Sequence, residues 1–330
     1  MRRLFLLTSI LVLSTAPLAL GGEESDDARP ADTEGGAVAP EPLESRQVIA
    51  GPSAFSDNSI TLSPVVRDYI DLYSTEHGIE YIETSLRRGL PYRDFILSVL
   101  DRYRMPRELY YLALIESGFD ARAESRSGAT GLWQFMENSV EDWMTINSWV
   151  DERRDFYRST IAAVEKLAGN FTILEDWLLA IAAYNAGLGH IQRAVEAAGT
   201  RDFWELMDTG LLPDQTEDYV PKFLAVTWIA EHAGRYGITP NWLPPLVWTR
   251  VNVPGGLDLE TLAAFSGLDT VAIHSWNVHL NTPHIPVGTP SYELNIPEMH
   301  RHSVERALSI LPGYRSLAPA DRRPRSYPEE

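Results

Sequence analysis

Eleven consecutive residues, Asp176 to Ala186, constrain this chain more than any other stretch. After Asp176 the string Trp177-Leu178-Leu179-Ala180-Ile181-Ala182-Ala183 is apolar on every side of a helical turn. A helix apolar all round has no face for water, so other elements must surround it. Gly187 is placed to stop it. Two polar side chains, Tyr184 and Asn185, come at its end. Buried polar groups need partners, so these two either satisfy each other or line a cavity.

The segments available to surround that helix read as helices too. Ser63-Pro64 has the form of an N-cap followed by Pro at the first helical position. It opens Val65 to Tyr73, with Val66, Ile70 and Tyr73 on one face. Pro91 is expected to open a second helix, with Phe95, Val99 and Tyr103 spaced by four. Pro106 is expected to open a third, running to Glu116. Asp155 to Ala168 is amphipathic, and Thr216 to His232 is another long helix. No strand pattern of any length occurs between residues 60 and 240, which predicts an all-α domain over residues 61–240.

Near residue 240 the texture changes. Pro240, Pro244, Pro245, Pro254, Gly255 and Gly256 interrupt helical patterning. Val247 to Val253 alternates with β-type residues. Helices are expected over Asp258 to Phe265 and around Thr270 to Trp276, then a strand over Ser291 to Ile296. That is a small α+β region of β-α-α-β order, placed at 246–298. Residues 299–330 read as a C-terminal helix and a disordered tail, Pro- and charge-rich from Pro319 onward.

The chain starts with Arg2 and Arg3 and an apolar run from Leu4 to Leu13, the form of a secretory signal with cleavage expected after Gly21. An uncleaved anchor is the alternative. The run is short for a spanning helix, and no other stretch approaches that length, so no stable membrane span is expected after cleavage. Residues 22–60 read as an acidic disordered linker. Within residues 22–46 eight acids face two arginines. There is no cysteine, so export without disulfides is expected, and neither a thiolate nucleophile nor a lipid-bearing cysteine is available. The net charge of -18 argues against nucleic acid, which needs a basic footprint. The eight histidines form no ligand-spaced set, so neither metal nor cofactor is expected. No Gly-x-Ser-x-Gly elbow occurs.

Chemistry gathers at Glu116. In the helix expected after Pro106, Leu109, Leu112, Ala113 and Glu116 fall on neighbouring faces. Glu116 also lies in the last turn, where the macrodipole disfavours an ionised carboxylate. Ile115 and Phe119 would add desolvation of the same sign. A carboxyl with raised proton affinity suits leaving-group protonation. A dozen residues on, Gly128-Ala129-Thr130-Gly131-Leu132-Trp133-Gln134 offers two glycines for close backbone approach and an amide for sugar hydroxyls. Then come Ala183-Tyr184-Asn185-Ala186-Gly187 and Gln215-Thr216-Glu217-Asp218-Tyr219-Val220-Pro221-Lys222. Val150-Asp151-Glu152-Arg153-Arg154-Asp155 reads as a charged structural network joining a loop to the next helix.

In this order the segments around Glu116, Gln134, Asn185 and Tyr219 resemble the catalytic domain of a lytic transglycosylase. Ser63 to Gly237 is covered, and the membrane-bound lytic murein transglycosylase D subfamily is the nearest pattern. Gln215 stands where that family usually has Glu, and Met136-Glu137-Asn138-Ser139 departs from its commoner Pro-Gly-Thr. The resemblance implies a lysozyme-like all-α fold, exported to the periplasm or cell envelope. It implies cleavage of peptidoglycan glycan strands with Glu116 as single acid/base. It also implies Ser117, Gln134, Tyr184, Asn185 and Tyr219 as substrate-binding residues, with Asn185 on the N-acetyl group. The expected product is a 1,6-anhydromuramyl end. Cell-wall synthesis or turnover proteins are further candidate partners. A lysozyme-type hydrolase and an inactive glycan-binding protein are the alternatives. The region at 246–298 resembles a LysM-type glycan-binding repeat, or else is an appendage packed on the catalytic domain.

Overall fold

The computed structural model describes Phe55 and residues 63–140, 143–239 and 246–311. The expected signal peptide, the acidic linker apart from Phe55, and the expected tail from residue 312 lie outside the described residues.

Helix α1 (Pro64–Tyr73) starts at the expected proline. Helix α2 (Glu76–Arg102) runs for 27 residues and contains Pro91, which was expected to open a helix. A helix-interior proline costs roughly 3 kcal/mol. Leu86 and Leu90 before it and Ile96, Leu97 and Leu100 after it are all buried. Each full burial is worth about 1.5–3 kcal/mol, which outweighs the defect. Thr75 caps the start of α2 by accepting from Gly78 N. The helix expected after Pro106 is instead a 3-10 turn, Arg107–Tyr111, leading into the six-residue α3 (Leu112–Ser117).

Helix α4 (Phe156–Leu174) is capped by Asp155, and α5 (Trp177–Ala186) by Asp176. Leu179 through Ala183 have no exposure at all. Helix α5 is walled by α4 and by two further helices, α6 (Leu188–Ala198) and α8 (Asp214–Glu231). The short α7 (Phe203–Asp208) packs on α6. Asn170 Nδ2 donates to Ala180 O across the α4–α5 contact. Among the described residues up to 239 there is no strand, only isolated bridges.

The remainder builds a second, smaller core. Strand β1 (Trp248–Pro254) pairs antiparallel with β2 (Ser291–Pro297), Arg250 opposite Asn295. Between them lie α9 (Leu259–Ser266) and α10 (Thr270–Trp276), capped by Asp258 and Asp269. Helix α11 (Arg301–Ile310) follows and packs on α9. Val253, Leu259, Ile273, Leu294, Ile296 and Val304 form the centre of this core. Val150, from the helical part, is also in it.

The two parts share a polar and aromatic seam. Trp248 lies 4.8 Å from Phe156, centroid to centroid, and its indole N–H reaches Pro91 O. Asn295 Nδ2 donates to Asp155 Oδ1 at 2.9 Å. No helix among the described residues is long and apolar enough to cross a membrane.

Candidate active site

Glu116 occupies the last turn of α3, which Gly118 ends in the left-handed region with φ 60°. Gly118 N donates to Leu114 O and Phe119 N to Ala113 O, so the backbone reverses immediately after the carboxylate. Asp120 therefore does not continue Glu116's helix. Glu116 is only 7 % exposed. Its Oε1 accepts from the Tyr219 hydroxyl of α8 at 2.5 Å. Burial pushes the carboxyl up to about 7, against the opposing pull of the Tyr219 hydrogen bond and the Lys166 charge.

The loop after α3 is fixed from several sides. Thr130 and Phe135 exchange backbone hydrogen bonds. Gly131 has φ 85°, and a Cβ there would sit 1.9 Å from Arg153 O, so only glycine fits. Arg153 donates to Gly128 O and Phe135 O while gripping Asp151 with two hydrogen bonds. The charged string at 151–154 thus ties this loop to the start of α4. Trp133 is fully buried, with its indole N–H on Thr160 Oγ1.

Each residue singled out in the sequence can now be located. Ser117 is buried; its hydroxyl donates within reach of Ala113 O and Leu132 O and accepts from Asp120 N, linking α3 to the loop. Gln134 is half-buried with φ 49°, and its Nε2 donates to Gly131 O at 2.9 Å. Tyr184 is buried and donates to Trp133 O at 2.9 Å, so it fastens the loop to α5. Asn185 Oδ1 accepts from Thr216 Oγ1 of α8 at 2.9 Å. Its amide N–H₂ has no hydrogen bond among the described residues. Glu116, Tyr184 and Tyr219 act electrostatically on one another. Burial, and then the Glu116 charge, raise both tyrosines well above their ordinary range.

Lys166 of α4 was not singled out in the sequence. It is half-buried, with Nζ 4.6 Å from the centre of the Tyr184 ring and 5.7 Å from that of Phe135. The signal was present: Ala163, Lys166 and Asn170 recur at helical spacing on a stripe that is otherwise buried. No group of acidic or histidine side chains among the described residues could hold a metal. A separate surface cavity lined by Arg93, Arg104, Arg107 and Glu231 includes none of these site residues.

A family model described as Transglycosylase SLT domain matches residues 98–207. The chain is 29% identical over 238 residues to the Membrane-bound lytic murein transglycosylase D of Escherichia coli (strain K12), covering 69% of this chain and 51% of that protein. It is also 38% identical over 112 residues to a Putative tributyltin chloride resistance protein of Alteromonas sp. (strain M-1), covering 33% of this chain and 53% of that one. The chain thus spans about half the length of these curated relatives. Among solved structures, the lytic transglycosylase Slt of Pseudomonas aeruginosa, an inactive mutant, aligns with a TM-score of 0.39 and 19% identity over 52% of this chain and 30% of that one.

Proposed function

We propose that this protein is an exported peptidoglycan lytic transglycosylase of the periplasm or cell envelope, with Glu116 as its single acid and base. The observation that carries the reading is the Glu116–Tyr219 pair: a buried carboxyl held near pH 7 by burial, with a 2.5 Å hydroxyl contact to orient it. Such a group holds its proton in the ground state and can take one back within a turnover. The charge that raises Tyr184 and Tyr219 after burial is that of Glu116. Two-carboxylate hydrolysis needs a second acid near the first.

The steps balance without water. Glu116 gives its proton to the glycosidic oxygen between N-acetylmuramic acid and N-acetylglucosamine, and the C1–O bond breaks. The acetamido oxygen of the muramyl residue closes on C1 to give an oxazolinium. Glu116, now a carboxylate, takes the proton of the C6 hydroxyl. O6 attacks C1, the acetamido oxygen leaves, and a 1,6-anhydro end results. In this scheme Asn185, with its N–H₂ uncommitted, holds the N-acetyl group, and Gln134 offers its amide oxygen to a sugar. Tyr219 orients Glu116. Ser117 and Tyr184 act through the loop, whose backbone they fasten.

Residues 246–298 form a LysM-like region that serves as a brace on the helical body. The β-α-α-β order supports the first part. The Asn295–Asp155 and Trp248–Phe156 contacts support the second.

Mass spectrometry of the products released from purified peptidoglycan tests the assignment. Wild type should give anhydromuramyl ends, one water lighter than reducing ends, and Glu116→Gln should give almost none. Reducing ends from wild type would make the enzyme a hydrolase. No release would leave a glycan-binding protein.

A further inference from the structure

The charged stretch at 151–154 takes no part in the catalytic scheme, yet it stands between the small region and the loop that carries Gln134. Its docking on the small region is by backbone. Asp151 N donates to His279 O and Asn281 N to Trp149 O, both at 2.8 Å, and Val150 and Leu280 form an antiparallel bridge between them. Asn281 Nδ2 adds a bond to Asn147 O at 3.0 Å. Val150 and Leu280 are both buried in the smaller core. Residues 147–151 are therefore held in register by residues 279–281.

We propose that Arg153 is a positioning residue for the Gln134 loop and that this docking sets its place, so that the small region fixes the substrate side of the site from a distance. The inference rests on reading Gln134 as a substrate-binding residue of the proposed reaction. Asp151 links the two contacts. Its backbone is bound to the small region, and its carboxylate accepts from Arg153 Nε at 2.9 Å and Nη2 at 2.8 Å. Arg153 Nη1 is left to face the loop. It donates to Gly128 O at 3.0 Å and to Phe135 O at 3.3 Å, so one nitrogen joins the two ends of the loop. Both side chains are buried, and the planar guanidinium presents its donors in fixed directions.

The middle of the loop is fastened on its other side. Ser117, next to Glu116, donates to Leu132 O, and Tyr184 donates to Trp133 O, both at 2.9 Å. Neither contact involves Gly128 or Phe135, so the ends depend on Arg153. Gln134 sits just before one of those ends with φ 49°, in the left-handed region that a residue with a side chain occupies at a cost. Such a conformation persists only where its surroundings over-determine it. The backbones also meet directly: a Cβ on Gly131 would lie 1.9 Å from Arg153 O. A shift of Arg153 is therefore a shift of the loop.

Hydrogen exchange in the full-length protein, read by mass spectrometry, tests this without any substrate. Arg153→Lys keeps a positive charge but lacks the planar fork, so it cannot hold the carboxylate and both carbonyls together. Exchange over residues 128–135 should rise roughly tenfold, while residues 177–186 of α5 keep their wild-type rates. Leu280→Ala loosens the docking without touching the loop. It should raise exchange over 128–135 by a smaller factor, again with α5 unchanged. In turnover of peptidoglycan both variants should raise KM several-fold and leave the pH limbs of kcat in place, because Glu116 is untouched. Wild-type exchange over 128–135 in either variant would overturn the proposal. So would a parallel rise over 177–186, which reports general destabilisation, or an unchanged KM in both. Failure of the transglycosylase assignment would appear separately, as absent anhydro product from wild type with the exchange pattern intact.

Discussion

Glu116 and Asp155 are both buried carboxylates at helix ends, and they are built for opposite purposes. Glu116 lies in the last turn of α3, where the helix dipole opposes negative charge. The Tyr219 hydroxyl and the Lys166 charge oppose burial there, but burial prevails and its proton affinity rises. Asp155 caps the first turn of α4, where the dipole favours negative charge. Burial alone would push Asp155 up as well. His279, Arg250, the Asn295 N–H₂ and Arg158 together overcome it and hold Asp155 below its ordinary value. One carboxyl is left under-solvated and titratable. The other is flanked by two arginines and held as an anion, its Oδ1 accepting from Tyr157 N and Asn295 Nδ2. The difference lies in the neighbouring positive charges, since exposure is low in both.

The largest expected effect separates the two by activity. Glu116→Gln should fold and lose roughly 10²–10⁴ in kcat, since the amide can neither give nor take the proton. Substantial turnover in the folded variant would remove Glu116 from the chemistry. Asp155→Asn should do the converse. It leaves Arg250 and Arg158 facing a neutral group and weakens the seam to β2. Breaking a buried pair in this way costs about 3 kcal/mol or more. Chemical denaturation should record the loss, while kcat per folded molecule stays near wild type. A normal midpoint in Asp155→Asn would show that the seam does not brace the helical body. The linkage also has a sign: the Asp155 contribution is present above the unfolded value near 3.8 and disappears as pH falls through the lower folded value.

Stability against pH sharpens the contrast one step further. Folded Glu116 binds a proton up to about pH 7, whereas the unfolded chain releases it near 4.5. Between those values the native state holds more protons, so stability falls as pH rises. Above pH 7 the penalty is complete, on the order of 3 kcal/mol. Glu116→Gln should therefore raise the melting temperature at pH 8 and change it little at pH 4. An equal gain at both values would mean the carboxyl is not held up by burial.

Much of this was legible in the sequence, and the misses have physical causes. The all-apolar run at Leu179–Ala183 announced a central helix because no arrangement on a surface could hold it. Asp155, Asp176, Asp258 and Asp269 mark helix starts that capping rules recognise. Pro91 misled because local chemistry says break while burial on both sides says continue. Helix α6 was missed because only Ile191 and Ala194 are buried, too faint a stripe to read. At the site, motif order pointed to Glu116 and Tyr219, which the fold brings into contact from α3 and α8. Lys166 escaped because its meaning depends on the Tyr184 ring, which is distant in sequence. The Asp155 seam escaped because its partners come from β1 and β2, a hundred or so residues on.

The smallest expected effect compares two tyrosine hydroxyls. Tyr219→Phe keeps the packing of α8 and removes the 2.5 Å contact to Glu116. That bond favours the ionised carboxyl, so its loss should raise the pH at which Glu116 releases its proton. It should also weaken the carboxylate stage by roughly 1–2 kcal/mol, since a hydrogen bond to a charged group is worth more than a neutral one. A fall of about tenfold in kcat, with the alkaline limb shifted up, is expected. Tyr292→Phe is the matched change in the other region. The Tyr292 hydroxyl is buried without a hydrogen-bond partner among the described residues, so removing it relieves desolvation and breaks nothing. Its melting temperature should hold or rise slightly, and its rate should not move. If both variants lost activity alike, the tyrosines would be acting through packing. The distinction between a carboxyl tuned to titrate and one locked as an anion would then fail at its weakest link, the Tyr219 hydroxyl.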